Sequence, residues 1–303
     1  MRKIPVMDTV SRTYGFLLGD IGTIVRLAWA PLLIGAALSF VYGPQIMDAA
    51  IKAPNDPSVA MAQAPLQFLL SLVTFVTGIM ATVALLRVVI LGDRKPGLFV
   101  YLWFGGAEMR LIAVSILLLV AIIAGGIALA LVLALLGGVA AAVPAASGVV
   151  VLAGLLLVPV LIWAALRLSL ISPVVVAENN LGVERSWQLM SGNVLRMFLV
   201  LLLTFVPYII VVATATFAIL GADLPAFPAF PAMGGADANA TTEGTEAFRK
   251  AMEAWQLGLT KATRAHIMEL TVLGFIGNLF QTALAAGAFG NAYNAVTDHQ
   301  AGN

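Results

Sequence analysis

The sequence predicts an all-α polytopic membrane protein with six transmembrane helices in three hairpins, each hairpin preceded by an interfacial amphipathic helix. Three observations carry that expectation. Hydrophobic residues make up 61% of the 303-residue chain and charged ones 10%, whereas a water-soluble domain carries roughly 25% charge and 45–50% apolar residues. Several runs are long enough to cross the hydrocarbon core, which takes about 20 apolar helical residues at ~1.5 Å each. Finally, one pattern is written twice, as VSRTYGFLLGDI from Val10 to Ile21 and VERSWQLMSGNV from Val183 to Val194.

In the first copy Val10, Tyr14, Leu17 and Ile21 recur at i, i+4, i+7 and i+11, one face of a helix, while Asp8, Ser11, Arg12 and Asp20 occupy the others. A segment this polar fits the membrane interface, with its aromatic residue at headgroup depth and its stripe buried in the inner leaflet. The first span follows at about Leu27–Tyr42, and its tail YGPQ ends it at Pro44. No small-residue cleavage site follows, so it reads as a span and not as the core of a signal peptide.

The second span lies at about Leu66–Ile90, the third at Leu111–Gly137 and the fourth at Val149–Leu166. No charged residue occurs from Leu111 to Leu166. GGVAAAVPAASG divides that stretch as a tight turn around Pro144, and Pro173 marks where the fourth helix should break. In the second copy Val183, Trp187, Met190 and Val194 take the stripe positions, and Glu184, Arg185, Gln188, Ser191 and Asn193 the other faces. The fifth span, about Phe198–Leu220, contains Pro207, with Thr204 placed to cover a freed carbonyl. The sixth is about Leu270–Tyr293.

Between the last two spans, residues 221–269 form a periplasmic loop. LPAFPAFPAMGG begins it as an extended segment with Phe227 and Phe230 turned to the outer leaflet. A helix from about Thr245 to Ile267 then carries Phe248, Met252, Trp255 and Leu259 on one stripe, suited to lying on the membrane or capping the bundle. Asn239-Ala-Thr241 fits a glycosylation sequon, a pattern too short to weigh.

A fainter third copy stands before the third span, where Tyr101, Gly106 and Arg110 align with Trp187, Gly192 and Arg196. The span mouths agree as Val25-Arg26-Leu27, Met109-Arg110-Leu111 and Leu195-Arg196-Met197; the exits agree as Ala84-Leu85-Leu86-Arg87 and Ala164-Ala165-Leu166-Arg167. The chain therefore reads as a single membrane domain with internal units at about residues 5–91, 97–167 and 182–295. Chance alignment in low-complexity membrane sequence is the competing reading. Lys and Arg concentrate before the first span, between the second and third, and between the fourth and fifth, which puts those sides and both termini in the cytoplasm.

RLSLISPVVVAENNLGVERSWQLMSGNVLRMF contains Arg167, Pro173, Glu178, Ser186-Trp187, Leu189, Gly192 and Asn193. With Gly92-Asp93-Arg94 and Pro96-Gly97 as a weaker companion, it resembles the signature of a multi-pass bacterial family. That family includes the membrane domain of glycerophosphoryl diester phosphodiesterases and its stand-alone relatives. The resemblance implies an integral inner-membrane protein of undefined role, associated with phospholipid. It does not carry over phosphodiesterase chemistry, which belongs to a separate soluble barrel for which this sequence has no room.

The candidate headgroup-binding or structural residues are Arg26, Arg87, Arg110, Arg167, Glu178, Arg185, Trp187 and Arg196. Arginines at helix ends snorkel toward lipid phosphates, and Glu178 is expected to pair with Arg185 or Arg12, docking an interfacial helix. In the sixth span Asn278 and Gln281 share a face with Gly274, read either as packing or as a substrate path. No catalytic, cofactor-binding or metal-ligating residue is assigned. His266 with Glu269 forms no HExxH, His299 is remote, and neither a Walker A loop nor GxSxG occurs.

Acidic residues cluster in loops, and the absence of cysteine removes thiol chemistry. Sixteen Lys and Arg against fifteen Asp and Glu give no basic excess for nucleic acid. The expected function is that of a non-enzymatic, lipid-interacting scaffold or accessory protein. Its partners would be membrane phospholipids and a membrane-protein partner or second copy. A transporter of lipid or another amphiphile is the alternative, and an intramembrane hydrolase using Glu178 a distant third.

Overall fold

The computed structural model describes residues 2–52, 57–94, 99–142, 147–229 and 238–297. The Pro144 turn, Pro96-Gly97, Phe230 and His299 lie outside them. Regular structure among the described residues is helical: α1 (Val6–Gly19), α2 (Ile21–Lys52), α3 (Pro57–Leu91), α4 (Gly106–Ala142), α5 (Ser147–Arg167), α6 (Ile171–Glu178), α7 (Val183–Leu189), α8 (Val194–Leu220), α9 (Ala238–Ala265) and α10 (Ile267–Thr297). Six segments are long and apolar enough to cross a membrane: Ile21–Lys52, Met61–Leu91, Gly106–Val132, Leu157–Glu178, Val194–Leu220 and Ile267–Thr297. Each overlaps one of the six expected runs, the fourth only over residues 157–166.

Four local expectations change. Helix α2 continues through Pro44 to Lys52; proline removes one donor, and the neighbouring turns carry the helix past it. The fourth span breaks at residues 168–170, ahead of Pro173, which sits in the first turn of α6 where its missing N–H has no partner to lose. The second copy of the repeated pattern is helical only over Val183–Leu189, then turns through Gly192 at φ +75° before α8. The faint third copy carries no helix ahead of α4: residues 99–105 are irregular.

The chain divides into two compact units. The first comprises Met1–Pro31, Gly78–Pro207 and Leu279–Asn303. Its core is made by Ile24, Leu27, Leu85, Leu86, Met197 and Leu284, all fully buried. Helix α4 packs on α5 and α6, and α6 on α7. Close approach to α10 depends on glycine. A side-chain carbon at Gly287 would stand 2.9 Å from the Thr13 methyl of α1, and one at Gly290 would stand 2.6 Å from Val89 Cγ1 of α3.

Within the α1 stripe Val10 and Leu17 face protein, Tyr14 is half-buried and Ile21 is exposed. Thr9, Val10, Thr13, Phe16 and Leu17 are buried, while Met7 and Leu18 are exposed at 71% and 70%. Val10 and Leu17 thus depart from a stripe immersed in the leaflet, because α10 closes on α1 at Gly287. Along α4, Ile116, Leu117, Leu119, Val120, Ile122 and Ile123 are exposed, an apolar surface suited to acyl chains and not to water.

The second unit comprises Leu32–Thr77 and Tyr208–Asn278. Helices α2 and α3 approach at Gly35, where an added carbon would meet Thr74 Oγ1 at 3.5 Å. Tyr208 donates its hydroxyl to the Gly277 carbonyl at 2.9 Å, joining α8 to α10. Helix α9 is amphipathic, and Trp255 on its stripe donates Nε1–H to the Pro225 carbonyl at 3.1 Å. Phe227 packs edge-on to the same ring at 5.3 Å. The proline-rich segment therefore rests against α9.

Candidate functional site

Most of the sequence-nominated residues gather in the first unit, at the ends of its helices. The joint between α5 and α6 leaves backbone groups without helical partners. Ser186, fully buried on α7, closes it: its hydroxyl donates to the Arg167 carbonyl at 3.0 Å and accepts the Leu170 N–H at 3.1 Å. Asn193 does the same for the N-terminal segment. Its Oδ1 accepts the Ile4 N–H at 3.0 Å, and its Nδ2 donates to the Arg2 and Leu189 carbonyls. These two residues satisfy buried backbone, a need that hydroxyl and amide side chains meet and apolar ones cannot.

The arginines fall into two groups. Arg87, Arg94 and Arg185 meet carboxylates. Arg185 Nε lies 3.1 Å from Glu178 Oε1, which also accepts the Tyr293 hydroxyl at 3.0 Å, so one carboxylate ties α6 to the α7 segment and to α10. Of the two partners expected for Glu178, Arg185 takes the place; Arg12 pairs with Asp8 at 2.9 Å. Arg94 grips Asp20 with two nitrogens at 3.1 and 3.3 Å, and those bonds hold its guanidinium still further above its ordinary range. Arg87 lies 3.9 Å from Glu108, whose side chain is fully buried.

The other group meets neutral oxygen. Arg26 donates to the Arg94 carbonyl at 2.7 Å, Arg167 to the Trp187 carbonyl at 2.9 Å, Arg196 to the Ile4 carbonyl at 3.1 Å and Arg110 to the Asn179 side-chain oxygen. Arg167 is further held between two tryptophans. Its guanidinium carbon stands 5.0 Å from the ring centres of both Trp163 and Trp187, which meet edge to face at 5.3 Å. These acceptors hold each of the four guanidinium groups, and among the described residues no ion pair joins any of them to a carboxylate.

Sequence reasoning missed Glu108. It sits in the first turn of α4, where its Oε2 accepts the Gly105 N–H at 3.0 Å. An acidic residue three positions after the residue preceding a helix is the signal that would have found it. Nearby Tyr101 is buried, which raises its phenol above the ordinary value, an effect opposed by the Arg87 charge. Tyr14 donates to the Thr204 carbonyl at 2.9 Å. The Thr204 hydroxyl itself covers no freed carbonyl, contrary to expectation.

In the second unit, Asn278 and Gly274 line a cavity of about 360 Å³ among α2, α3, α9 and α10. Nothing lies within 4 Å of where a Gly274 side chain would begin. Gln281, the other member of that face, belongs to the first unit and is exposed. Close helix approach on α10 occurs at Gly277, Gly287 and Gly290. No family model, curated protein or solved structure matches the chain.

Proposed function

We propose that this chain is a non-enzymatic, lipid-interacting scaffold or accessory protein of a bacterial inner membrane, with both termini cytoplasmic. One observation carries the reading. Arg26, Arg110, Arg167 and Arg196 are anchored at helix ends by neutral oxygens, with no carboxylate paired to them among the described residues. A guanidinium has five N–H donors, and the bonds described above use only part of that capacity. A phosphate headgroup supplies both the missing negative charge and the missing acceptors.

Lipid retention measures this directly. The protein, extracted in nanodiscs from a mixed bilayer, is expected to co-purify phosphatidylglycerol in excess over phosphatidylcholine. Replacing Arg26, Arg110 and Arg196 together with glutamine keeps a donor for each neutral anchor and removes the charge. That variant is expected to lose the anionic preference while retaining total lipid; an unchanged preference would refute the reading.

Transport of an amphiphile is favoured by one feature, the cavity beside Asn278. If a water-filled path opens there, Asn278→Cys reacts with water-soluble thiol reagents from one face of the membrane. Silence at that position argues against a path.

A further inference from the structure

The cavity of the second unit has a chemistry of its own. Its polar lining is Ser39, Thr74, Thr77, Thr263, Thr271 and Asn278, hydroxyls and one amide, and no charged side chain lines it. Of the titratable groups close to it in the chain, Arg264 Nε stands 3.3 Å from Asp48 and His266 Nε2 2.9 Å from Asp223, while Glu269, next to Leu270, is exposed and does not line the cavity. Thr77 gives its hydroxyl proton to the Thr74 carbonyl at 3.2 Å and Thr271 gives its own to the Ile267 carbonyl at 2.6 Å. Both therefore offer lone pairs to a ligand. Leu32, Met47, Leu270 and Phe275 make the remaining wall apolar.

We propose that this cavity binds a neutral single-chain amphiphile that brings its own hydroxyl donors, a lipid of the monoacylglycerol type. Charge excludes the alternatives at hand. A phosphate or ammonium headgroup in this lining would be desolvated without a counter-charge, which is costly, whereas a glycerol hydroxyl exchanges water for Thr and Asn acceptors. Size agrees: 360 Å³ falls within the usual range for small-ligand pockets and holds roughly a dozen groups the size of a water molecule, one chain segment and not two. The site shares no residue with the span-mouth arginines, so it stands or falls apart from them.

The test uses the full chain in phosphatidylcholine nanodiscs with a photoreactive monoacylglycerol bearing a mid-chain diazirine. Crosslinks mapped by mass spectrometry are expected on α2 around Gly35–Ser39 and on α10 around Gly274–Asn278, and unlabelled monoacylglycerol is expected to compete them away where phosphatidylglycerol does not. Gly274→Phe projects a ring into open space and is expected to cut the competable labelling roughly tenfold, the loss of one filled pocket. Asn278→Leu keeps a similar volume without the amide and is expected to lower it in the same direction. Labelling that resists competition, spreads along the exposed face of α4, or yields equally to phosphatidylglycerol would overturn the proposal. Should Gly274→Phe fail to fold, the wild-type competition and Asn278→Leu decide the matter.

Discussion

Ser186 explains at the scale of one side chain why a hydroxyl belongs in the middle of an apolar joint. Two backbone groups at the α5–α6 break meet it and are shielded from water. Ser186→Ala leaves both without that partner, and a loss of about 1–3 kcal/mol in unfolding free energy is expected. Thermal melts in one detergent, with Ser191→Ala as the comparison on the same segment, measure it. Tyr101 supplies a second expectation, this time in pH. Burial raises its phenol above the ordinary value of 10.0, so the folded chain keeps a proton that the unfolded chain releases. The corresponding stability is present below about pH 10 and falls as pH rises through the folded value. Tyr101→Phe is expected to flatten the alkaline decline in melting temperature, while Tyr14, raised by burial in the same way, maintains part of it.

Helix α1 shows what periodicity carries and what it leaves out. Its spacing marks an apolar face, and that face is legible in the sequence. Whether lipid or protein covers the face is not, because the deciding feature, Gly287, lies at the far end of the chain and appears there as one small residue among many. For the same reason the polar face of Gly274, Asn278 and Gln281 is legible in the sequence, whereas the close approaches at Gly277, Gly287 and Gly290 are not. The six apolar runs survived this difficulty, since length and composition alone define them. Similarity of residue type failed where local structure differs. Tyr101, Gly106 and Arg110 match the repeat, yet the Phe99–Phe104 run has no 3.6-residue stripe and the Gly105-Gly106 pair discourages a helix through it. Gly287→Leu tests the α1 contact: its side chain meets Thr13, so hydrogen exchange of α1 amides is expected to accelerate while α4 amides keep their rates.

At the scale of the whole molecule the sidedness of the chain follows from counting crossings. Helix α1 precedes all six candidate spans, and α9 lies between the fifth and the sixth. On the proposed topology with six crossings, five of them separate the two, and that reading assigns them to opposite compartments whichever way the chain inserts. The proposed orientation, drawn from the distribution of Lys and Arg, has α1 on the cytoplasmic side. The chain has no cysteine, so single thiols report without background. Ser11 on α1 and Lys261 on α9 are both exposed, and neither appears among the bonds described above. In sealed inside-out vesicles Ser11→Cys is expected to react with a membrane-impermeant maleimide at once and Lys261→Cys only after permeabilisation; right-side-out vesicles should reverse the pair. Reaction of both from one side would mean that one of the six segments does not cross, and reversal in both preparations would mean that the charge distribution does not set the direction.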